Sequence, residues 1–160
     1  MSEGRVRPAT RDDLPLMASF IRELAAYEDL TCEVRFDEAE LGEYLFGSHP
    51  CAEALIGDMD GEAAGFALFF RTFSTFEGKP GLWLEDLFVR PSARGRGLGR
   101  ALLIEVAKLA SERHYARLEW SVLDWNAPAI ALYRKLGARM MDEWRIMRLD
   151  GARLAQVIRP

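Results

Sequence analysis

The sequence predicts one mixed α/β domain, a sheet flanked by helices, on three observations. Apolar residues recur at helical spacing over 12–28 and again over 98–113. Between and after these stretches lie short apolar runs bounded by turn residues, the pattern of buried strands. A third signal is a strand ending at Val89 that passes through Gly95, Gly97 and Gly99 straight into a helix. The 160 residues suffice for one sizeable core, so the whole chain, 1–160, is expected to form a single domain.

In order along the chain, Arg5-Val6-Arg7-Pro8 reads as a short opening strand. Thr10 is placed to cap the helix over 12–28, with Asp12 and Asp13 beside the positive end of its dipole. Asp37 caps a second helix over 37–45 that turns Leu41 and Leu45 inward. Strands over 52–56 and 62–73 are joined at Asp60-Gly61, and a turn at Gly78-Lys79-Pro80-Gly81 leads to an apolar strand over 82–89. Leu102, Leu103, Val106, Leu109 and Ala110 mark one face of the helix over 98–113. A strand over 117–123, a helix over 128–136 and a closing strand over 144–149 complete the expected order.

Composition excludes several classes of function. No run of 18 apolar residues exists, which argues against a membrane span. The first residues lack the apolar stretch of a signal peptide, so a cytoplasmic protein is expected. Cys32 and Cys51 form neither a disulfide framework nor a zinc-type spacing; they are expected to be small buried thiols, and no metal is expected. His49 and His114 are isolated and read as surface residues. A net charge of −4 disfavours nucleic acid. That figure conceals an asymmetry: residues 1–62 carry 15 acids and 5 bases, and residues 63–160 carry 10 acids and 16 bases. Either two solvated faces attract each other, or one side receives a cation and the other an anion.

The glycine-rich junction decides between phosphate-binding motifs. Glycine allows close backbone approach, and the free N–H groups of the first helical turn favour an anion. A nucleotide-hydrolysis loop would end in Gly-Lys-Ser/Thr, whereas Gly99-Arg100-Ala101 stands here. A dinucleotide fingerprint needs G-x-G-x-x-G, and Gly95-x-Gly97-x-Gly99 has other spacing. Arg94-x-x-Gly97-x-Gly99 instead resembles the acetyl-CoA signature of the GCN5-related N-acetyltransferases, the GNAT superfamily. Further stretches resemble its diamine acetyltransferase branch, the spermidine/spermine and thialysine enzymes. They are Arg7-Pro8-Ala9-Thr10, Glu23-Leu24-Ala25-Ala26-Tyr27-Glu28, Leu84-Glu85-Asp86-Leu87-Phe88-Val89, Val122-Leu123-Asp124-Trp125-Asn126 and Leu132-Tyr133-x-x-Leu136-Gly137-Ala138.

The resemblance implies a central twisted mixed sheet flanked by helices, acetyl-CoA as co-substrate, a small-molecule amine as acceptor and a homodimer. It assigns the coenzyme to Leu87, Phe88, Val89, Arg94, Gly95, Arg96, Gly97, Leu98, Gly99, Arg100, Asn126, Ala129 and Tyr133. A primary amine with pKa near ~10 is an ammonium at neutral pH and must lose a proton before it attacks. Glu85, beside buried positions on the strand leading to the loop, is the expected base, directly or through a water. Strand alternation turns Asp86 to the opposite face, as a structural hydrogen-bond partner. Tyr133 is the expected acid for the departing thiolate, against the alternative of a core aromatic between Ile130 and Leu136. Asn126 either meets the coenzyme or caps the helix, and both can hold. The family polarises the acetyl carbonyl with a backbone N–H at the splayed strand end, here Leu87 or a neighbour.

On the amine side, the resemblance gives Tyr27 and Glu28 a place in the substrate channel. Asp124-Trp125 and Glu143-Trp144 repeat an acid–aromatic pairing suited to cations. Phe73-Ser74-Thr75-Phe76 stands where spermidine-acetylating members carry an acidic residue, and Val122-Leu123-Asp124-Trp125-Asn126 is closer to the thialysine type. The expected activity is acetyl transfer to a polyamine, thialysine or lysine-like amine by direct attack in a ternary complex. The alternatives are transfer to protein lysines or another metabolite and, from a different class, an acetyl-CoA-binding regulatory module without turnover.

Overall fold

Strand β1 (Arg5–Pro8) pairs with β2 (Glu53–Met59), β2 with β3 (Glu62–Ser74) and β3 with β4 (Lys79–Val89), all antiparallel. Strand β5 (Leu118–Trp120) joins β4 in parallel, giving one mixed sheet in the order β1-β2-β3-β4-β5. This computed structural model describes residues 4–159, in two units divided between Ser121 and Val122.

The first unit contains the sheet and three helices. A short 3-10 turn (Arg11–Asp13) leads into α1 (Leu14–Tyr27), so Thr10 precedes that turn rather than the α-helix itself. The Asp13 carboxylate accepts the Thr10 N–H at 2.8 Å and both terminal nitrogens of Arg7 at 2.8 Å each. Those bonds, Arg7 first, hold the Asp13 carboxyl down at about 2. Helix α2 (Glu38–Phe46) begins as expected, with the Asp37 side chain accepting from Glu40 N–H at 3.0 Å.

The sheet alternates its side chains between two helical layers. Ile56 of β2, Phe66 and Leu68 of β3 and Phe88 of β4 form one core with Met17 and Phe20 of α1 and Leu45 of α2. Phe20 and Phe66 stack with ring centroids 5.6 Å apart. Helix α3 (Leu98–Glu112) buries Leu98, Leu102, Leu103, Val106 and Ala110. A Cβ on Gly57 would meet Leu98 Cδ1 at 2.9 Å, so the glycine lets α3 sit against β2.

The second unit holds α4 (Ala127–Lys135) and α5 (Gly151–Val157). Helix α4 is capped as its sequence suggests: Asn126 Oδ1 accepts the Ala129 N–H at 3.4 Å, with Pro128 in the first turn. The closing strand expected over 144–149 is absent, and these residues are exposed without a ladder partner among the described residues. Apolar alternation there cannot make a strand without a neighbour to accept its backbone hydrogen bonds. The strand expected over 117–123 contracts to three residues, because its pairing with β4 ends at Leu84↔Trp120, and α5 has no counterpart in the expected order. Cys32 and Cys51 are both exposed, correcting their reading as buried thiols, whereas His49 and His114 lie on the surface as expected.

Candidate active site

Strand β4 shapes the site through one irregularity. Its register with β3 runs Phe69↔Leu84 and then Leu68↔Asp86, leaving Glu85 as an extra, unpaired residue. A β-bulge of this kind interrupts the two-residue alternation. Leu84 therefore sits on the Phe69 side of the sheet, and Asp86 moves to the Leu68 side, towards α1. Glu85 remains on that same side, where its Oε2 accepts the Trp83 indole N–H at 3.0 Å. Two consecutive carboxylates thus share a face, and the expectation that Asp86 points away is overturned. Glu85 is also more exposed than its apolar neighbours suggested.

The two acids line a cavity of about 520 Å³ with Glu28 at the end of α1. Ile21, Leu24 and Leu30 form apolar wall, and Glu33 to Phe36 close another side. The size falls within the range of small-molecule sites, about 300–1,000 Å³. Asp86 is only partly exposed; removal from water, then the charges of Glu85 and Glu28, push its carboxyl up to about 7. Burial likewise raises the Glu28 carboxyl from its ordinary value. A group poised near neutrality in a cavity is suited to proton transfer. Reading one strand in isolation missed Asp86, because only the pairing with β3 reveals the bulge.

Beside these acids the backbone of β4 is open. The parallel pairing with β5 ends at Leu84↔Trp120, so Glu85–Val89 has no strand partner on that side among the described residues. Arg90 donates its N–H to Ala64 O at 2.8 Å, and an antiparallel ladder alternates such pairs. Asp86, Phe88 and Arg90 therefore turn their backbone groups to β3, while Leu87 and Val89 turn theirs to the open edge. That edge offers the Leu87 N–H two residues beyond the bulge and the Val89 N–H two residues further on.

The glycine-rich loop follows. Gly95 and Gly97 have φ of 73° and 89°, the left-handed region that a Cβ disfavours, and Gly97 stands at the N-terminus of α3. No heavy atom comes within 4 Å of a Cβ built on either, so backbone conformation and open space, not crowding, call for glycine. Leu98 anchors the helix start in the core, and a Cβ on Gly99 would lie 3.6 Å from Val89 Cγ2. Exposed N–H groups at a helix start with space before them fit a pyrophosphate.

The arginines of the loop have distinct surroundings. Arg96 is held by Asp60 through two bonds of 2.6 and 3.0 Å, and Arg100 is exposed. Arg94 donates Nε–H to Val89 O at 2.9 Å and lies over the Tyr27 ring at 4.4 Å, joining the loop to the end of α1. Pairs such as Arg90–Glu23, Arg96–Asp60 and Arg113–Glu53 join the basic and acidic parts of the sequence, so some of the charge asymmetry is internal attraction.

The remaining expected residues lie in the second unit. Tyr133 is half-buried on α4, Ala129 is held by Asn126, and Asp124 and Trp125 are exposed just before that helix. Glu143 and Trp144 line a smaller cavity of about 250 Å³ with residues 139–142. Among the described residues no cluster of His, Cys, Asp and Glu could hold a metal, and no helix is long and apolar enough to cross a membrane.

Comparison with known proteins agrees with this fold. The sequence model of the acetyltransferase (GNAT) family matches residues 19–138. A thialysine N-epsilon-acetyltransferase of Sus scrofa is 32% identical, over 98% of this chain and 98% of its own. An L-ornithine N5-acetyltransferase of Arabidopsis thaliana is 31% identical, over 96% of this chain and 87% of its own. Among solved structures, an integron cassette protein from the mobile metagenome of V. cholerae superposes with a TM-score of 0.80. It is 27% identical and covers 100% of this chain and 99% of its own.

Proposed function

The chain belongs to the acetyltransferase (GNAT) family, in its diamine acetyltransferase branch, and is an N-acetyltransferase; from that premise we infer that it acetylates a small-molecule primary amine by direct attack on acetyl-CoA in a ternary complex. The observation that carries this reading is the acidic cavity at the β4 bulge, next to an open strand edge and a glycine-lined helix start. The amine comes from the class of polyamines, thialysine and lysine-like compounds. The chain works as a single catalytic domain spanning 1–160, in the cytoplasm and as a homodimer. The family match across both units supports the single domain. The exposed apolar side chains of 140–158, Trp144 and Met147 among them, support self-association.

Acetyl-CoA supplies an activated acetyl group. The N–H groups at Gly95–Gly99, with Arg94, Arg96 and Arg100, hold its pyrophosphate, and the open edge at Leu87–Val89 holds the pantetheine. Phe88 keeps that edge in place by packing in the core, and Asn126 and Ala129 present the start of α4. Glu28 and Tyr27 receive the ammonium, helped by Asp124, Trp125, Glu143 and Trp144. The Glu85–Asp86 pair takes one proton from the ammonium, freeing its lone pair. The new N–C bond forms as the C–S bond breaks and the nitrogen releases its second proton to solvent, while the Leu87 N–H steadies the carbonyl oxygen. Tyr133 gives its phenolic proton to the thiolate and regains one from solvent. The products are the N-acetylamine, the free thiol and one proton.

The direct test is thiol release from acetyl-CoA with a panel of polyamines, diamines and ω-amino acids. Turnover with a small amine supports the reading. Turnover only with protein lysines, or coenzyme binding without turnover, selects one of the alternatives.

Two further outcomes follow from the geometry. Gly97→Val places a β-branched residue at φ 89° and before the helix N–H groups. It should weaken acetyl-CoA binding about tenfold or more, some 1.4 kcal/mol, in a folded protein; calorimetry showing unchanged affinity would remove the pyrophosphate from this loop. Glu28→Gln should raise the KM for the amine and leave that for acetyl-CoA unchanged. Added salt should also raise the amine KM, since surface attraction is screened over about 10 Å at 0.1 M. A Glu28→Gln enzyme identical to wild type with every active amine would take Glu28 out of the channel.

A further inference from the structure

Two adjacent residues at the end of α1 meet different neighbours. Glu28 lines the acidic cavity, and its charge bears on Asp86. Tyr27 carries Arg94 of the glycine-rich loop over its ring, 4.4 Å from the centroid. Arg94 is also fastened to β4, by Nε–H donation to Val89 O at 2.9 Å and by the Phe88 ring at 5.8 Å. A short path of contact therefore runs from the loop, through Arg94 and Tyr27, to the residue that lines the cavity.

The two ends of this path differ in what they can do. Arg94 pairs with no carboxylate among the described residues, whereas Arg90 and Arg96 each do. A guanidinium donates through its edge while its face rests on an aromatic ring, so Arg94 can meet an anion and keep Tyr27. At the other end α1 closes tightly. Glu28 N–H donates to Leu24 O at 3.0 Å and Leu30 N–H to Ala25 O at 2.8 Å, around Asp29 at φ 57°. The turn that carries Tyr27 thus carries Glu28 with it. An anion held at the loop restrains Arg94, and a restrained Arg94 restrains the Tyr27 ring. We propose that Tyr27 is a positioning residue: through Arg94 it transmits occupation of the glycine-rich loop to the end of α1 and sets Glu28 for the amine. This rests on the coenzyme site read above. By linkage, an amine at Glu28 then strengthens coenzyme binding by the same factor as the coenzyme strengthens amine binding.

Hydrogen exchange of the amides of residues 28–30, with and without acetyl-CoA and with no amine present, reads this contact without turnover. Saturating acetyl-CoA should slow exchange there about fivefold or more in wild type. Tyr27 is 39% exposed, so its substitution spares the core. Tyr27→Leu saturated with acetyl-CoA should show no slowing, and Tyr27→Phe, which keeps the ring, should show it again. The first-turn amides of α3 should be protected in all three proteins, which marks the loop as occupied. Equal slowing at 28–30 in wild type and Tyr27→Leu overturns the proposal and leaves the coenzyme site standing. So does a wild type that protects α3 and not 28–30. Slowing that depends on Tyr27, with no thiol release from any amine, overturns acetyl transfer and keeps the coupling. Protection at neither place overturns both the coenzyme site and the coupling.

Discussion

Tyr133→Phe is expected to lower kcat about 10²-fold while the dissociation constant of acetyl-CoA stays within about twofold of wild type. The substitution keeps the aromatic ring and removes only the hydroxyl. Its position is set by a well-defined local structure: Asn126 caps α4, Pro128 enters its first turn, and Tyr133 lies half-buried further along. A phenol of pKa near ~10 can protonate a thiolate of slightly lower basicity and be reprotonated from water. Since the thiolate develops only as the C–S bond breaks, the loss falls on kcat rather than on ground-state binding. Steady-state kinetics with calorimetric coenzyme binding makes the check, and a Tyr133→Phe enzyme with unaltered kcat would assign the tyrosine to packing.

Asp86→Asn should have a comparable kinetic effect and an opposite effect on stability. With its carboxyl near 7, Asp86 is protonated in acid and able to accept a proton in base. Wild-type kcat/KM should therefore rise through about pH 7. In Asp86→Asn that limb should vanish, with activity at pH 7 down about 10²-fold and recovering towards pH 9 as substrate arrives deprotonated. Glu85→Gln should show the smaller shift, because Glu85 is exposed and tied to Trp83. If Glu85→Gln instead removes the limb and Asp86→Asn does not, Glu85 takes the proton by itself.

The stability effect carries its own sign. Folding raises the Asp86 carboxyl from an ordinary 3.8, so the native state holds that proton more tightly than the unfolded chain. Its contribution is favourable at low pH and is lost as pH climbs towards 7, where the native carboxyl must ionise beside Glu85 and Glu28. Asparagine cannot ionise, so the Tm advantage of Asp86→Asn over wild type should grow between pH 5 and pH 8. About 1 kcal/mol corresponds to some 2–4 °C for a chain of this size. Thermal melts at the two pH values measure it, and a pH-independent difference would mean that Asp86 ionises as freely as in water.

Features set by neighbours in the chain are legible in the amino-acid sequence. Asp37 and Asn126 cap the helices that follow them, Asp60-Gly61 turns β2 into β3, and Gly97 opens α3 with positive φ. In each case the hydrogen bond or backbone conformation lies within about four residues, so local residue types are sufficient. The apolar periodicity of α1 and α3 likewise declares which sides are buried. Packing decides the rest. The exposure of Cys32 and Cys51 depends on what covers them, and 144–149 lacks the ladder partner that would make it a strand. The bulge at Glu85 is a mismatch between β3 and β4, and a period-two pattern read along β4 by itself contains no information about its partner's register. The candidate acids are visible as residues, but their common face, and the neutral-range carboxyl that follows from it, arise only when two strands pair with one residue left over.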